Sequence, residues 1–327
     1  MNYSPILIVG GEPNSIFLEI FFKTLKFKKI KSPVILISSE EILKKQMKKL
    51  NFKKKIKLLN YKNFKYEKLD NKSINLINIE FNQKKVFEKI SKKSNKFVER
   101  SFLMAFRILK ENNFYKFING PISKKNFLNK KYLGITEYIS KKFHTKNNCM
   151  LIYNQNLSVC PVTTHLPIKE VAKKINKKII TEKIILINDF YKKVLGIKPK
   201  IAVLGLNPHC ESVNKFNEDE KIIKPIINKL NKKFKISWPY PADTIFIKNI
   251  RKKFDVIVGM YHDQVLTPIK TLYEYDAINI TLGLPFIRIS PDHGPNEKML
   301  GKNLSNPLSL IQAIKFLDRN WLNQKKV

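Results

Sequence analysis

Residues 255–264 read DVIVGMYHDQ. The run Val256–Met260 is apolar without a polar residue in alternation, and a histidine, His262, follows almost at once. A strand with one wet face alternates apolar and polar residues. An unbroken apolar run describes a strand buried on both faces, as in a parallel sheet covered by helices. The same form recurs in KIAVLGLNPHC (200–210) and LSVCPVTTHLP (157–167), which run into His209 and His165. The chain has five histidines, so three of them follow runs of this kind.

Working outward, strand candidates lie at Ile6–Val9, Val34–Ser38, Lys116–Asn119, Met150–Tyr153, Leu157–Val162, Lys200–Leu206, Asp255–Met260 and Ala277–Leu282. Helical patterns at Ile168–Ile175, Ile180–Leu195, Glu218–Leu230 and Pro307–Leu317 lie among them. Apolar strands alternating with helices predict an α/β protein with parallel sheet. Residues 40–100, rich in Lys and Asn, predict surface helices with one or two strands. A chain of 327 residues predicts two domains, with a change of domain just after NGPISKKN (119–126).

The charge is unusual: 63 Lys and Arg against 26 Asp and Glu, a formal net charge of +37. Nucleic-acid surfaces favour arginine, whose planar fork binds phosphates and guanine edges bidentately. Only Arg100, Arg107, Arg251, Arg288 and Arg319 are arginines, and the lysines are spread along the whole chain beside many Asn and Ile. That is the imprint of an AT-rich genome, and specific nucleic-acid recognition is set aside. A phosphorylated small substrate suits such a positive field. Cys149, Cys160 and Cys210 form no CxxC and no even framework, which points to a reducing compartment. The start MNYSPILIVGGEP lacks a basic leader region, and no apolar stretch approaches a membrane span, so a cytoplasmic protein is expected.

The crevice of an open α/β sheet lies at the carboxyl ends of its strands. Three imidazoles brought together there suit a divalent ion with positions left open for substrate. The bland alternative makes each histidine a satisfied residue at a strand end; three of them on successive runs favour the site. His144, in a lysine-rich stretch, reads as surface, and His293, in SPDHGPN (290–296), as a loop residue. Lys270, Asn279 and Arg288 lie near apolar stretches, where a polar group needs a partner. Neither GxGxxG, GxxxxGK[ST], GxSxG nor HExxH occurs, so a Rossmann fingerprint is missing.

TTHLP (163–167), LNPHCE (206–211), PADTIF (241–246), YHDQ (261–264) and NITLGLPFIRISPDHG (279–294), in that order, resemble the 4-hydroxythreonine-4-phosphate dehydrogenase family. The likeness runs from VGGEP (9–13) to the last helix and is densest between 160 and 302. It implies two α/β/α domains with a cleft between them, like isocitrate and isopropylmalate dehydrogenases rather than a Rossmann fold. The implied domains are residues 1–125 with 295–327, and residues 126–294, the latter carrying the metal ligands and dimer contacts. By resemblance His165, His209 and His262 bind the metal (zinc, cobalt, magnesium or manganese), in a homodimer whose subunits share the site. Thr136, Lys270, Asn279 and Arg288 contact the substrate. NAD or NADP is held in part by Asp292, His293, Gly294 and Asn296, and Asp243 and Asp263 are acid/base or orienting groups. The implied reaction is the metal-dependent oxidative decarboxylation of 4-phosphohydroxy-L-threonine to 3-amino-2-oxopropyl phosphate, in pyridoxal phosphate biosynthesis.

Three departures stand out. GITE (134–137) has Ile135 where the family has histidine; DHGPN (292–296) stands for DHGTA; and GEPNSIF (11–17) replaces a Gly-rich turn. Isoleucine donates no hydrogen bond, a loss of about 1–3 kcal/mol if uncompensated. Ile135 therefore keeps a rival in play, a paralogue oxidising another phosphorylated four-carbon hydroxy acid. A metal-dependent hydrolase and a catalytically dead basic nucleic-acid binder are further rivals.

Overall fold

Strand β1 (Ile6–Val9) carries four wholly buried aliphatic side chains and leads into α1 (Phe17–Leu25). There follow β2 (Val34–Ser38), α2 (Glu40–Lys49), β3 (Ile56–Leu58), β4 (Ile74–Asn78), α3 (Lys92–Glu111), β5 (Lys116–Asn119) and α4 (Ile135–Lys142). The chain continues through β6 (Cys149–Asn154), β7 (Leu157–Pro161), α5 (Ile168–Lys174), α6 (Lys177–Phe190), β8 (Ile201–Leu204) and α7 (Lys224–Leu230). Then come β9 (Ile236–Tyr240), β10 (Val256–Gly259), α8 (His262–Tyr273), β11 (Ile278–Leu282), β12 (Ile287–Ser290) and α9 (Leu308–Leu317). This computed structural model describes residues 3–27, 30–63, 69–123, 132, 134–212, 216–291 and 293–319. No helix among the described residues is long and apolar enough to cross a membrane.

Local chemistry sets the helix starts. The Ser39 hydroxyl accepts from Ile42 N–H ahead of α2, Asn176 accepts from Ile179 N–H ahead of α6, and Ser91 with Ser94 forms a reciprocal capping box on α3. Phe97, Phe102, Ala105, Phe106 and Leu109 make one buried face of α3, and its lysines lie on the other.

Two compact units result among the described residues, one of residues up to 142 together with 285–319, the other of residues 143–284. In the first, six strands run parallel in the order β3-β4-β2-β1-β5-β12. In the second the order is β11-β6-β7-β10-β8-β9. The α/β class read from the sequence is the class observed. The units part at 142/143 and 284/285 rather than at 125/126 and 294/295. Tyr138 of α4 packs on Phe102 and Phe106 of α3, ring centroids 6.2 and 6.0 Å away, and β12 pairs with β5. Thr136 and Arg288 therefore belong to the first unit.

The parallel sheet expected from the sequence contains one antiparallel strand. Strand β6 runs antiparallel to both β11 and β7. Only Gln155 and Asn156 separate β6 from β7, and a two-residue link joins strands only as a hairpin. Asn154 Oδ1 accepts from Asn156 N–H at 3.0 Å and closes that turn. Strands β9 and β12 lie outside the runs read from the sequence, because Pro239 interrupts one and Arg288 the other.

Candidate active site

In the second unit β7, β10 and β8 are parallel neighbours, and His165, His262 and His209 follow their carboxyl ends. The rings of His165 and His262 face each other with centroids 5.7 Å apart and planes tilted by 38°. His165 and His209 have left-handed backbone, φ 53° and 57°, and Cys210 follows at 61°. Side chains other than glycine adopt that conformation at a cost of about 1–2 kcal/mol, and it concentrates where a site needs it. Asp219, 1% exposed, supports the turn: Oδ1 accepts from Leu206 N–H at 2.7 Å and Oδ2 from Asn207 N–H at 3.0 Å. The fold thus pairs two of the three histidines. Among the described residues no group of three His, Cys, Asp or Glu stands close enough to hold an ion.

The chemistry of this donor set suits a divalent transition ion. Imidazole is an ordinary ligand of such an ion, and the three histidines follow the ends of adjacent strands. Asp263 Oδ1 lies 2.9 Å from His262 Nδ1, the contact of a carboxylate that fixes a ring's orientation. Asp243 is exposed and accepts from its neighbour Thr244 at 3.0 Å.

Lys270 sits on α8 two turns beyond His262, about 12 Å along the axis at helical rise. Burial lowers its ammonium below the ordinary lysine value. Asn279 lies on β11 opposite Ile152, and its buried Oδ1 has no hydrogen-bond partner. A buried acceptor of that kind leaves room for a donor from a bound molecule.

The first unit builds a cationic centre at the carboxyl end of β5. Arg288, 1% exposed on β12, donates from Nε to Asn119 Oδ1 at 2.8 Å and from Nη1 to Thr136 Oγ1 at 3.0 Å. Burial pushes the guanidinium down to about 10, with Glu137 opposing the fall, so it is charged at neutral pH. A fully buried guanidinium braced at Asn119 and Thr136 has a fixed orientation in which to meet an anion. Asn119 escaped the sequence reading; the signal was there, a polar residue closing the apolar run KFIN. Ile135, half-buried, opens α4 directly before Thr136.

In the same unit the His293 ring lies 6.0 Å from that of Phe17. Burial pushes His293 down to about 4, so it is neutral at pH 7, and its buried Nε2 has no hydrogen-bond partner. Gly294 is exposed, and Asn296 is exposed with left-handed backbone, φ 48°. Asp292 lies outside the described residues. Next to the loop, Glu12 is buried, accepts from Asn14 N–H and Ser94 Oγ, and is raised above the usual carboxylate range by that burial.

Comparison with known proteins supplies a family. The sequence model of the family described as pyridoxal phosphate biosynthetic protein PdxA matches residues 29–317. The 4-hydroxythreonine-4-phosphate dehydrogenase of Sulfurihydrogenibium sp. is 37% identical over 319 residues, covering 94% of this chain and 96% of that one. The enzyme of that name from Aquifex aeolicus is 32% identical over 321 residues, covering 95% and 96%. The crystal structure of 4-hydroxythreonine-4-phosphate dehydrogenase from Klebsiella pneumoniae matches with a TM-score of 0.83 at 25% identity, over 96% of this chain and 98% of that one.

Proposed function

From this chain's membership of the PdxA family, we propose that it oxidises and decarboxylates 4-phosphohydroxy-L-threonine to 3-amino-2-oxopropyl phosphate and carbon dioxide, using NAD or NADP and one divalent ion. One observation carries the reading: His165, His262 and His209 leave the carboxyl ends of three adjacent parallel strands, with the first two rings already paired. The bound groups supply Lewis-acid polarisation and hydride acceptance. The chain's part is to bind and orient.

His165, His209 and His262 hold the ion, and Asp263 keeps His262 in the orientation that presents Nε2. Arg288, braced by Asn119 and Thr136, seats an anionic group of the substrate, and Lys270 adds a second cation. Asn279 Oδ1 accepts a hydrogen bond from the substrate. Neutral His293 offers Nε2 as an acceptor to the nicotinamide cofactor, beside the uncrowded Gly294 backbone. A homodimer sharing the ion between subunits, in the cytoplasm, completes the proposal. Ile135 favours one alternative, a paralogue whose substrate is another phosphorylated four-carbon hydroxy acid.

The test is reduced-cofactor absorbance with 4-phosphohydroxy-L-threonine and NAD or NADP, with and without a chelator, on wild type and Ile135→His. Chelator-sensitive turnover by the wild type supports the activity. Turnover only by the histidine variant transfers the assignment to the paralogue. Inactivity of both, in folded protein, refutes the substrate proposed.

A further inference from the structure

We propose that Glu137 is a specificity-determining residue: its unpaired carboxylate oxygen makes the anion seat at Arg288 select an anion that carries a proton, a phosphate group over a sulfate. The inference rests on the seat in the reading above and names the chemistry of what that seat takes.

Two neighbouring strands and one helix start build the seat, all within the first unit. Asn119 closes β5, Arg288 lies on β12 level with Phe117 of β5, and α4 brings Thr136 as its second residue and Glu137 as its third. Arg288 is bound on one side to Asn119 Oδ1 and on the other to Thr136 Oγ1. Glu137 follows Thr136 directly and lies close enough to act on the Arg288 charge. Its Oε2 is buried and has no hydrogen-bond partner among the described residues. That oxygen lies against Gly134, where a Cβ would come within 2.9 Å of it, so glycine leaves it its place.

A buried acceptor without a donor is costly, and a bound group that brings the donor removes that cost. Phosphate brings one and sulfate does not. Both are tetrahedral oxyanions of similar size, but at pH 7 inorganic phosphate keeps at least one P–O–H. It can accept from Arg288 with one oxygen and donate to Glu137 Oε2 with another. Sulfate has only acceptors, and it sets a charged oxygen against a carboxylate. An ionised carboxylate ligand meets the same obstacle. Of a phosphorylated acid, the seat therefore takes the phosphate, with one proton on it.

A glutamate at the third position of a helix often caps the turn before it, and one oxygen is enough for that. Losing a cap weakens every ligand of the turn alike. Losing a selecting acceptor changes the ratio between two ligands, so the ratio is the readout.

The experiment is isothermal titration of the full chain with inorganic phosphate and with sulfate, at pH 7 and fixed ionic strength. It compares wild type, Glu137→Gln, Glu137→Ala and Arg288→Met, the last measuring what the lysine-rich surface binds by itself. Wild type is expected to bind phosphate about 10–100-fold more tightly than sulfate, the worth of one hydrogen bond to a charged group. The amide of Glu137→Gln donates as well as accepts, so sulfate gains and the ratio falls to about one. Glu137→Ala removes the acceptor and levels the ratio too. A wild-type ratio near one, or a ratio that Glu137→Gln leaves unchanged, overturns the proposal and leaves the anion seat standing. Wild-type binding of both anions no tighter than that of Arg288→Met overturns the seat, and the proposal with it. If Glu137→Gln does not fold, Glu137→Ala decides.

Discussion

Lys116→Met is expected to make the protein more stable at neutral pH. Lys116 opens β5, is 2% exposed, and donates from Nζ to Ser32 Oγ at 3.1 Å. Burial pulls its ammonium down from 10.5 to about 8, against the opposing pull of Asp318. At pH 7 the native state still carries the charge, and the interval corresponds to a cost of up to about 3 kcal/mol. Between pH 8 and 10.5 the unfolded chain holds a proton that the native state has released. Stability therefore rises with pH across that window. Methionine fills a similar volume without a charge. It strips Ser32 Oγ of one partner, worth about 1 kcal/mol, while Asp318 keeps the backbone N–H groups of Lys31 and Ser32. The net expectation is a gain of about 1–2 kcal/mol at pH 7 that shrinks and reverses by pH 10.5. Urea denaturation of both proteins at pH 7, 8.5 and 10 checks it, the difference between them cancelling the other titrating groups. A variant destabilised by 2 kcal/mol or more at pH 7, with a gap that does not move with pH, would refute the reasoning.

Arg288→Lys keeps the charge but loses the fork that engages Asn119 and Thr136 together; steady-state kinetics should show substrate KM up by about 10–100-fold, with cofactor KM unchanged. Asp219→Asn removes the charge from two backbone hydrogen bonds at 2.7 and 3.0 Å, and a stability loss of about 1.5–3 kcal/mol is expected in urea denaturation. His293 is neutral when folded and charges near pH 6.5 when unfolded, so its contribution is full above about 6.5 and is lost as pH falls toward about 4. Thermal unfolding at pH 7 and 4.5 should show a smaller acid loss in His293→Phe than in the wild type.

The runs that ended in histidine were legible because burial on both faces leaves no room for polar residues, so the strand and its exit are both marked. His165, His209 and His262 follow strand ends as that reading expects. Strand direction was not legible at β6, because an apolar run reads the same in either sense; the short link Gln155-Asn156 carried that information. The sequence marked Asn119 as the polar end of its run but hid its role, for a different reason. That role depends on Arg288, 169 residues away, and spacing along the chain says nothing of such a pair. The left-handed backbone at His165 and His209 was equally hidden, since histidine, unlike glycine, gives no notice of it.

The first unit is discontinuous, and that sets an order of assembly on the ribosome. Residues 143–284 form the second unit from one unbroken stretch, which can close as soon as it is made. The first unit starts earlier but lacks β12, the neighbour of β5, until residue 290 has emerged. At about 5–20 residues per second, synthesis leaves the open edge of β5 waiting on the order of ten seconds or more. Its apolar strand is meanwhile a template for wrong pairing. The strand that brings Arg288 is thus also the one that ends this exposure, so the edge is covered and the anion seat completed in one step.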